Sequence, residues 1–117
     1  MYDEQKERVV LNVGGRRYET SIPTLKREAD SLLAKMTKPI SPLQPYVTDG
    51  LPTYFLDRDP SIFSFLLDYL RNGPKVVKLW FHTQDPTVRS RIYIEAEHFK
   101  MKELINEIEN CWKEFLF

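Results

Sequence analysis

A chain of 117 residues has the length of one domain, and 42% hydrophobic with 13% aromatic content supplies a core. Seventeen basic residues balance seventeen acidic ones, so no bulk electrostatic pull draws the chain to nucleic acid or an anionic membrane, and little self-repulsion opposes association. One cysteine, Cys111, excludes an internal disulfide and a four-cysteine zinc site.

Met1 to Glu7 reads as a polar lead-in. Its charge does not suit a signal peptide, and no apolar run approaches the roughly 20 residues that span a bilayer. With a cysteine usage that fits a reducing compartment, the expected location is the cytoplasm, without membrane insertion. Val9-Val10-Leu11-Asn12-Val13 is a β-branched run that predicts a strand. Gly14-Gly15 signals a turn, and Arg16-Arg17-Tyr18-Glu19-Thr20 returns as the second strand of a hairpin. The same glycines could cradle a phosphate, but no further glycine, lysine or hydroxyl residue follows at P-loop or dinucleotide spacing.

Ser21 suits a helix cap and Pro23 the first turn behind it. A second short helix follows Asp30, with Leu32, Leu33 and Met36 expected inward. Lys26-Arg27 and Lys35 to Lys38 read as solvated faces, because acidic residues are interleaved. Lys38 to Pro52 carries four prolines and reads as a surface loop with extended character; Pro39, Pro42 and Pro45 have the spacing of a polyproline ligand. Thr48-Asp49-Gly50 is a turn leading into a strand at Tyr54-Phe55-Leu56.

Asp57-Arg58-Asp59 forms a charged corner. Asp59 and Pro60 then open a helix in which Phe63, Leu66, Leu67 and Leu70 make one apolar stripe, and Asn72-Gly73-Pro74 ends it. Val76 to Phe81 predicts a short extended piece whose Trp80 and Phe81 serve either the core or a partner. Asp85-Pro86 repeats the cap-then-proline signal for a helix to about Glu97, with Val88, Ile92 and Ala96 on one face. A last helix, about Lys102 to Phe115, aligns Leu104, Ile105, Ile108 and Trp112. Phe115-Leu116-Phe117 ends on apolar side chains that either pack back or begin a C-terminal continuation. Two or three strands come early, and helices dominate later.

Chemistry-bearing clusters are sparse. His82, His98 and Cys111 are spaced by sixteen and thirteen residues, which matches no compact metal motif. No Ser, Cys or Thr sits in a nucleophile-elbow context. Asp57 and Asp59 could pair for acid–base work, but Arg58 stands between them and Asp59 suits a cap. No enzyme activity, cofactor or metal is expected.

Three ordered blocks carry a resemblance. The first is Val9 to Thr20, with Thr24-Leu25 and Asp30-Ser31-Leu32-Leu33 following; the second is Phe55 to Asp59 through Leu67 to Gly73; the third is Glu95-Ala96-Glu97-His98-Phe99 with Leu104-Ile105. Together, over about Arg8 to Trp112, they resemble the BTB/POZ fold in its potassium-channel tetramerisation form, especially the soluble proteins that carry this domain without a channel. The resemblance implies an α/β (α+β) domain over 8–114, a small, mostly N-terminal sheet flanked by helices, and a closed homo-oligomer of four or five copies built through polar lateral faces. Within it, Arg16, Arg17, Asp57, Arg58 and Asp59 are the expected oligomer interface, since a ring needs complementary patches of both signs. Met36, Thr37, Trp80 and Phe81 are the partner-binding candidates, for a cullin scaffold or a membrane channel or receptor.

The expected role is non-catalytic clustering of an attached C-terminal region. The alternatives are a substrate adaptor for a cullin-type ubiquitin ligase and the assembly domain of a voltage-gated potassium channel. Two departures from the family bear on them. Cullin-recruiting members have an aromatic residue after the second helix, where this chain has Thr37-Lys38-Pro39 following Met36. The interface zinc of some channel domains needs several cysteines, and this chain has one. Gly73 to Glu95 is also somewhat longer than usual for the family.

Overall fold

In a computed structural model, residues 7–115 are described, and the chain divides into two compact units at Pro60–Ser61. The polar lead-in up to residue 6 and the apolar ending at Leu116 and Phe117 lie outside the described residues. The fold is α+β, with a small mixed sheet and six helices among the described residues.

The first unit holds strands β1 (Arg8–Val13), β2 (Arg16–Ser21), β3 (Tyr46–Thr48) and β4 (Leu51–Leu56), with short helices α1 (Ile22–Leu25) and α2 (Leu32–Met36). The sheet order is β2-β1-β4-β3, with β1 and β4 paired in parallel and both outer pairs antiparallel. A strand hydrogen-bonded on both sides is expected to be apolar along its length. β1 is such a strand: Val9, Val10, Leu11 and Val13 are all buried.

Both hairpins turn in two residues. Val13 pairs with Arg16 across Gly14-Gly15, and Thr48 pairs with Leu51 across Asp49-Gly50. All four turn residues have positive φ, the condition for the turn whose twist matches its strands. The Asn12 side chain accepts the Gly15 amide at 3.0 Å. β3 corrects the expectation of a loop from Lys38 to Pro52. Three residues of that segment zip onto β4, and Pro52 is tolerated because only Thr53 to Leu56 pair with the central strand.

Ser21 caps α1 as expected, accepting the Thr24 amide, and Ser31 caps α2 by accepting that of Ala34. On α2, Leu33, Ala34 and Met36 are buried, whereas Leu32 is exposed. Leu33, Ala34 and Met36 form the inward side of this short helix, and Leu32 at its first position lies outside it.

The second unit is helical. α3 (Pro60–Asn72) starts at the proline and stops at Gly73, whose amide donates to the Tyr69 carbonyl at 2.7 Å. Its stripe of Phe63, Leu66, Leu67 and Leu70 is buried, widened by Ile62 and Tyr69. α4 (Lys75–Trp80) and a 3₁₀ turn (Phe81–Thr83) replace the extended piece expected at Val76 to Phe81. Extended backbone would alternate Val77, Leu79 and Phe81 onto one face; the helix buries Val76, Val77 and Phe81 and leaves Leu79 74% exposed. The Trp80 indole N–H donates to Asp68 Oδ2 at 2.9 Å, and its ring lies 4.9 Å from that of Phe65. These tertiary contacts override the β-propensity of the paired valines.

α5 (Pro86–His98) is capped by Asp85, whose Oδ1 accepts the Val88 amide at 2.9 Å. Ile92 and Ala96 are buried, with Val88 half-buried. On α6 (Lys102–Phe115), Leu104, Ile108 and Cys111 are buried while Ile105 and Trp112 are half-buried. Burial pushes the Cys111 thiol above its usual range. Phe63 meets Phe99 edge-on at 5.7 Å, and Phe81 meets Trp112 at 5.6 Å.

Three substitutions test this packing. A Cβ at Gly14 would stand 2.5 Å from the Arg58 carbonyl oxygen at φ +55, whereas one at Gly50 meets nothing within 4 Å at φ +76. In urea unfolding, Gly14→Ala is expected to cost at least about 2 kcal/mol and Gly50→Ala about 1 kcal/mol. Phe81→Ala is expected to cost about 3–5 kcal/mol.

Candidate protein-interaction surface

β4 leaves the sheet at Leu56, and α3 begins at Pro60; Asp57, Arg58 and Asp59 make the corner between them. The Leu56 carbonyl accepts two amides at 2.9 Å, from Gly14 and from Arg58. The bond from Arg58 closes a three-residue turn around Asp57. The Tyr18 hydroxyl donates to the Pro60 carbonyl at 2.6 Å. The β1–β2 turn therefore lies directly against the corner, and two blocks separated by some forty residues of sequence become one object. Asp57 is exposed, and Arg58 and Asp59 are half-buried.

Arg16 and Arg17, grouped in the sequence, point to opposite faces of β2. Arg16 is on the side of the corner: its Nη1 donates to the Tyr18 hydroxyl at 3.2 Å, the same hydroxyl that holds Pro60. Arg17 is on the other face, where it donates to Glu19 Oε1 and to Asp49 Oδ2, each at 3.0 Å. Arg8 Nη2 completes the row with Glu19 Oε2 at 3.1 Å. The result is a chain of alternating charge, Arg8–Glu19–Arg17–Asp49, along an exposed face.

The Arg17 hydrogen bond, followed by that from Arg8, holds the Glu19 carboxyl below its usual range, and Glu19 in turn raises Arg17. Exposed pairs of this kind contribute little to stability. The pairing register puts Phe55 in the same row as Asn12 and Arg17, and Tyr46 opposite Thr53 on that face. Phe55 is 50% exposed and Tyr46 46%. The face thus combines an ion-pair row with two aromatic side chains, while Val10 and Thr53 in its middle are buried.

Sequence reading missed Arg8, Glu19, Asp49, Phe55 and Tyr46. The i, i+2 spacing of Arg17 and Glu19 on a strand was a usable signal. The tie to Asp49, thirty-two residues away from Arg17, left none.

The partner candidates divide. Met36, expected inward, and Phe81, expected in the core or against a partner, are both buried in the core. Thr37 is half-buried, with its hydroxyl donating to the Ala34 carbonyl at 2.8 Å. Trp80 is half-buried and held by Asp68. His82 lies in the 3₁₀ turn, with Nε2 3.8 Å from Glu114 Oε2. His98 ends α5 with its ring 4.8 Å from that of Phe99. Among the described residues, no group of three His, Cys, Asp or Glu side chains is placed to hold a metal ion, and no helix is long and apolar enough to cross a membrane.

Compared with known families, residues 9–111 match the family model of the BTB/POZ domain.

The charge row makes a direct prediction for Glu19. Its carboxyl should titrate below the ordinary glutamate range in an NMR pH series. Arg17→Ala should return it further toward that range than Arg8→Ala, since Arg17 is the larger cause. The lowered value means that any stability from this row is present above the ordinary glutamate range and is lost as pH falls through the folded-state value.

Proposed function

The chain belongs to the BTB/POZ domain family in its potassium-channel tetramerisation form, a family of protein-interaction and oligomerisation domains, and from that premise we propose that it is a non-catalytic, cytoplasmic homo-oligomerisation domain. Four or five copies close into a ring and cluster an attached C-terminal region, so that weak individual contacts gain avidity. The observation that carries this reading is the presence of two unlike mixed-charge surfaces on opposite sides of one sheet. One is the Asp57-Arg58-Asp59 corner with Arg16; the other is the Arg8–Glu19–Arg17–Asp49 row beside Phe55 and Tyr46. A ring interface is heterologous, so each copy must present two different patches. The corner suits one of them, because three hydrogen bonds, two to the Leu56 carbonyl and one from the Tyr18 hydroxyl to the Pro60 carbonyl, brace it while Asp57 stays exposed.

The runner-up is a cullin-ligase adaptor. Burial of Met36, and the lack of an aromatic side chain from Thr37 to Pro39, remove the anchor such a contact would use. Failure of a cullin N-terminal region to bind at micromolar concentration would end that alternative. A channel-assembly role requires six apolar spans following this domain in the full-length sequence.

Light scattering at tens of micromolar is expected to return the mass of four or five chains, and a strict monomer would overturn the ring. Asp57→Lys and Arg17→Glu should each weaken association by at least about tenfold, equivalent to about 1.4 kcal/mol, while thermal unfolding of the separated protomer stays cooperative. Loss of fold without a separable dissociation would show that these charges act only within one chain.

A further inference from the structure

One segment is absorbed neither by the core nor by the charged surfaces: the proline-punctuated connection from Lys38 to Pro45, between α2 and β3. Pro39, Pro42, Leu43 and Pro45 are exposed, and Ile40 is 91% exposed. The backbone turns here rather than running as a polyproline helix, with the Ser41 amide donating to the Lys38 carbonyl at 3.0 Å. That geometry does not present the proline ligand suggested by the spacing alone.

What the segment does present is Ser41-Pro42, the only serine or threonine in the chain that directly precedes a proline. We propose that Ser41 is a phosphorylation site for a proline-directed serine/threonine kinase. A residue before proline is confined to extended backbone, and the proline itself offers no amide hydrogen. These are the properties by which such kinases select the residue after the acceptor. Pro39, two residues before the serine, adds the second proline favoured by the mitogen-activated class.

Ser41 itself is half-buried between exposed neighbours, and a local opening presents its hydroxyl. The segment's hydrogen bonds are local, from Ser41 to Lys38, from Leu43 to Ser41 Oγ at 3.2 Å, and from the Gln44 side chain to the Ser41 carbonyl at 2.5 Å. Opening it breaks no sheet ladder, so it belongs to the low-stability end of the fold.

The step is a phosphoryl transfer from Mg-ATP. The Ser41 Oγ–P bond forms as the bond between the γ-phosphorus and the β,γ-bridging oxygen breaks; ADP leaves, and the hydroxyl proton passes to the kinase's catalytic carboxylate. The product carries about −1.5 to −2 charge on a chain whose formal charge is zero. The dianion sits beside the Leu43 amide that now donates to Ser41 Oγ. This proposal is independent of the ring.

The folded full chain, incubated with Mg-ATP and a mitogen-activated protein kinase, is expected to gain the mass of one phosphoryl group, mapped by fragmentation to Ser41. A control peptide phosphorylated in the same tube establishes that the kinase is active. Ser41→Ala should abolish the gain, and Pro42→Ala, which keeps the hydroxyl, should slow it at least tenfold. The proposal is overturned by no incorporation, by labelling that persists in Ser41→Ala, by an undiminished rate in Pro42→Ala, or by labelling that requires urea.

Discussion

The Leu56 carbonyl is where the first unit is tied together. It accepts the Gly14 amide across the end of the parallel β1–β4 pair and the Arg58 amide of the corner that follows. The Gly14 bond brings the hairpin turn so close to the corner that Gly14 has no room for a side chain. The glycine there answers two constraints at once: positive φ for the turn and contact with the Arg58 backbone. A larger residue would separate the turn from the corner and take Tyr18 away from the Pro60 carbonyl.

That tie gives the charged surface its character. A salt bridge between flexible exposed side chains contributes little, because ordering both partners costs entropy. Charges mounted on a braced turn and on neighbouring strands are already partly ordered, so a second surface can use them at lower cost. The Arg8–Glu19–Arg17–Asp49 row illustrates this: each carboxylate lies between or beside cations that the sheet itself positions.

The helical unit shows a different balance. Its core is heavily aromatic, and a single carboxylate, Asp68, accepts from both the Trp80 indole and the Asn72 amide on either side of the Gly73-Pro74 break. This pins the chain where it changes direction. It also accounts for Trp80 and Phe81 having different fates despite adjacency. At the end of α4 the Trp80 ring is directed to Phe65 and Asp68, while Phe81, opening the 3₁₀ turn, is buried against Trp112.

Local signals in the sequence determined much of this fold. Gly14-Gly15 specified its hairpin, Asp85-Pro86 and Gly73 marked helix ends, and the stripe from Phe63 to Leu70 identified a buried face, because turn geometry, capping and periodicity involve residues a few positions apart. The family, too, was legible in three ordered blocks. Only the tertiary structure decided that Val76 to Trp80 is helical, that Tyr46 to Thr48 is a strand, that Phe81 is core, and that Arg16 and Arg17 enter different networks. Each of those outcomes depends on partners distant in sequence: Asp68 and Phe65 for Trp80, β4 for β3, Tyr18 and Pro60 for the corner, Asp49 for Arg17. Short-range propensity is worth a few tenths of a kcal/mol per residue, and a buried side chain or a new ladder outweighs it.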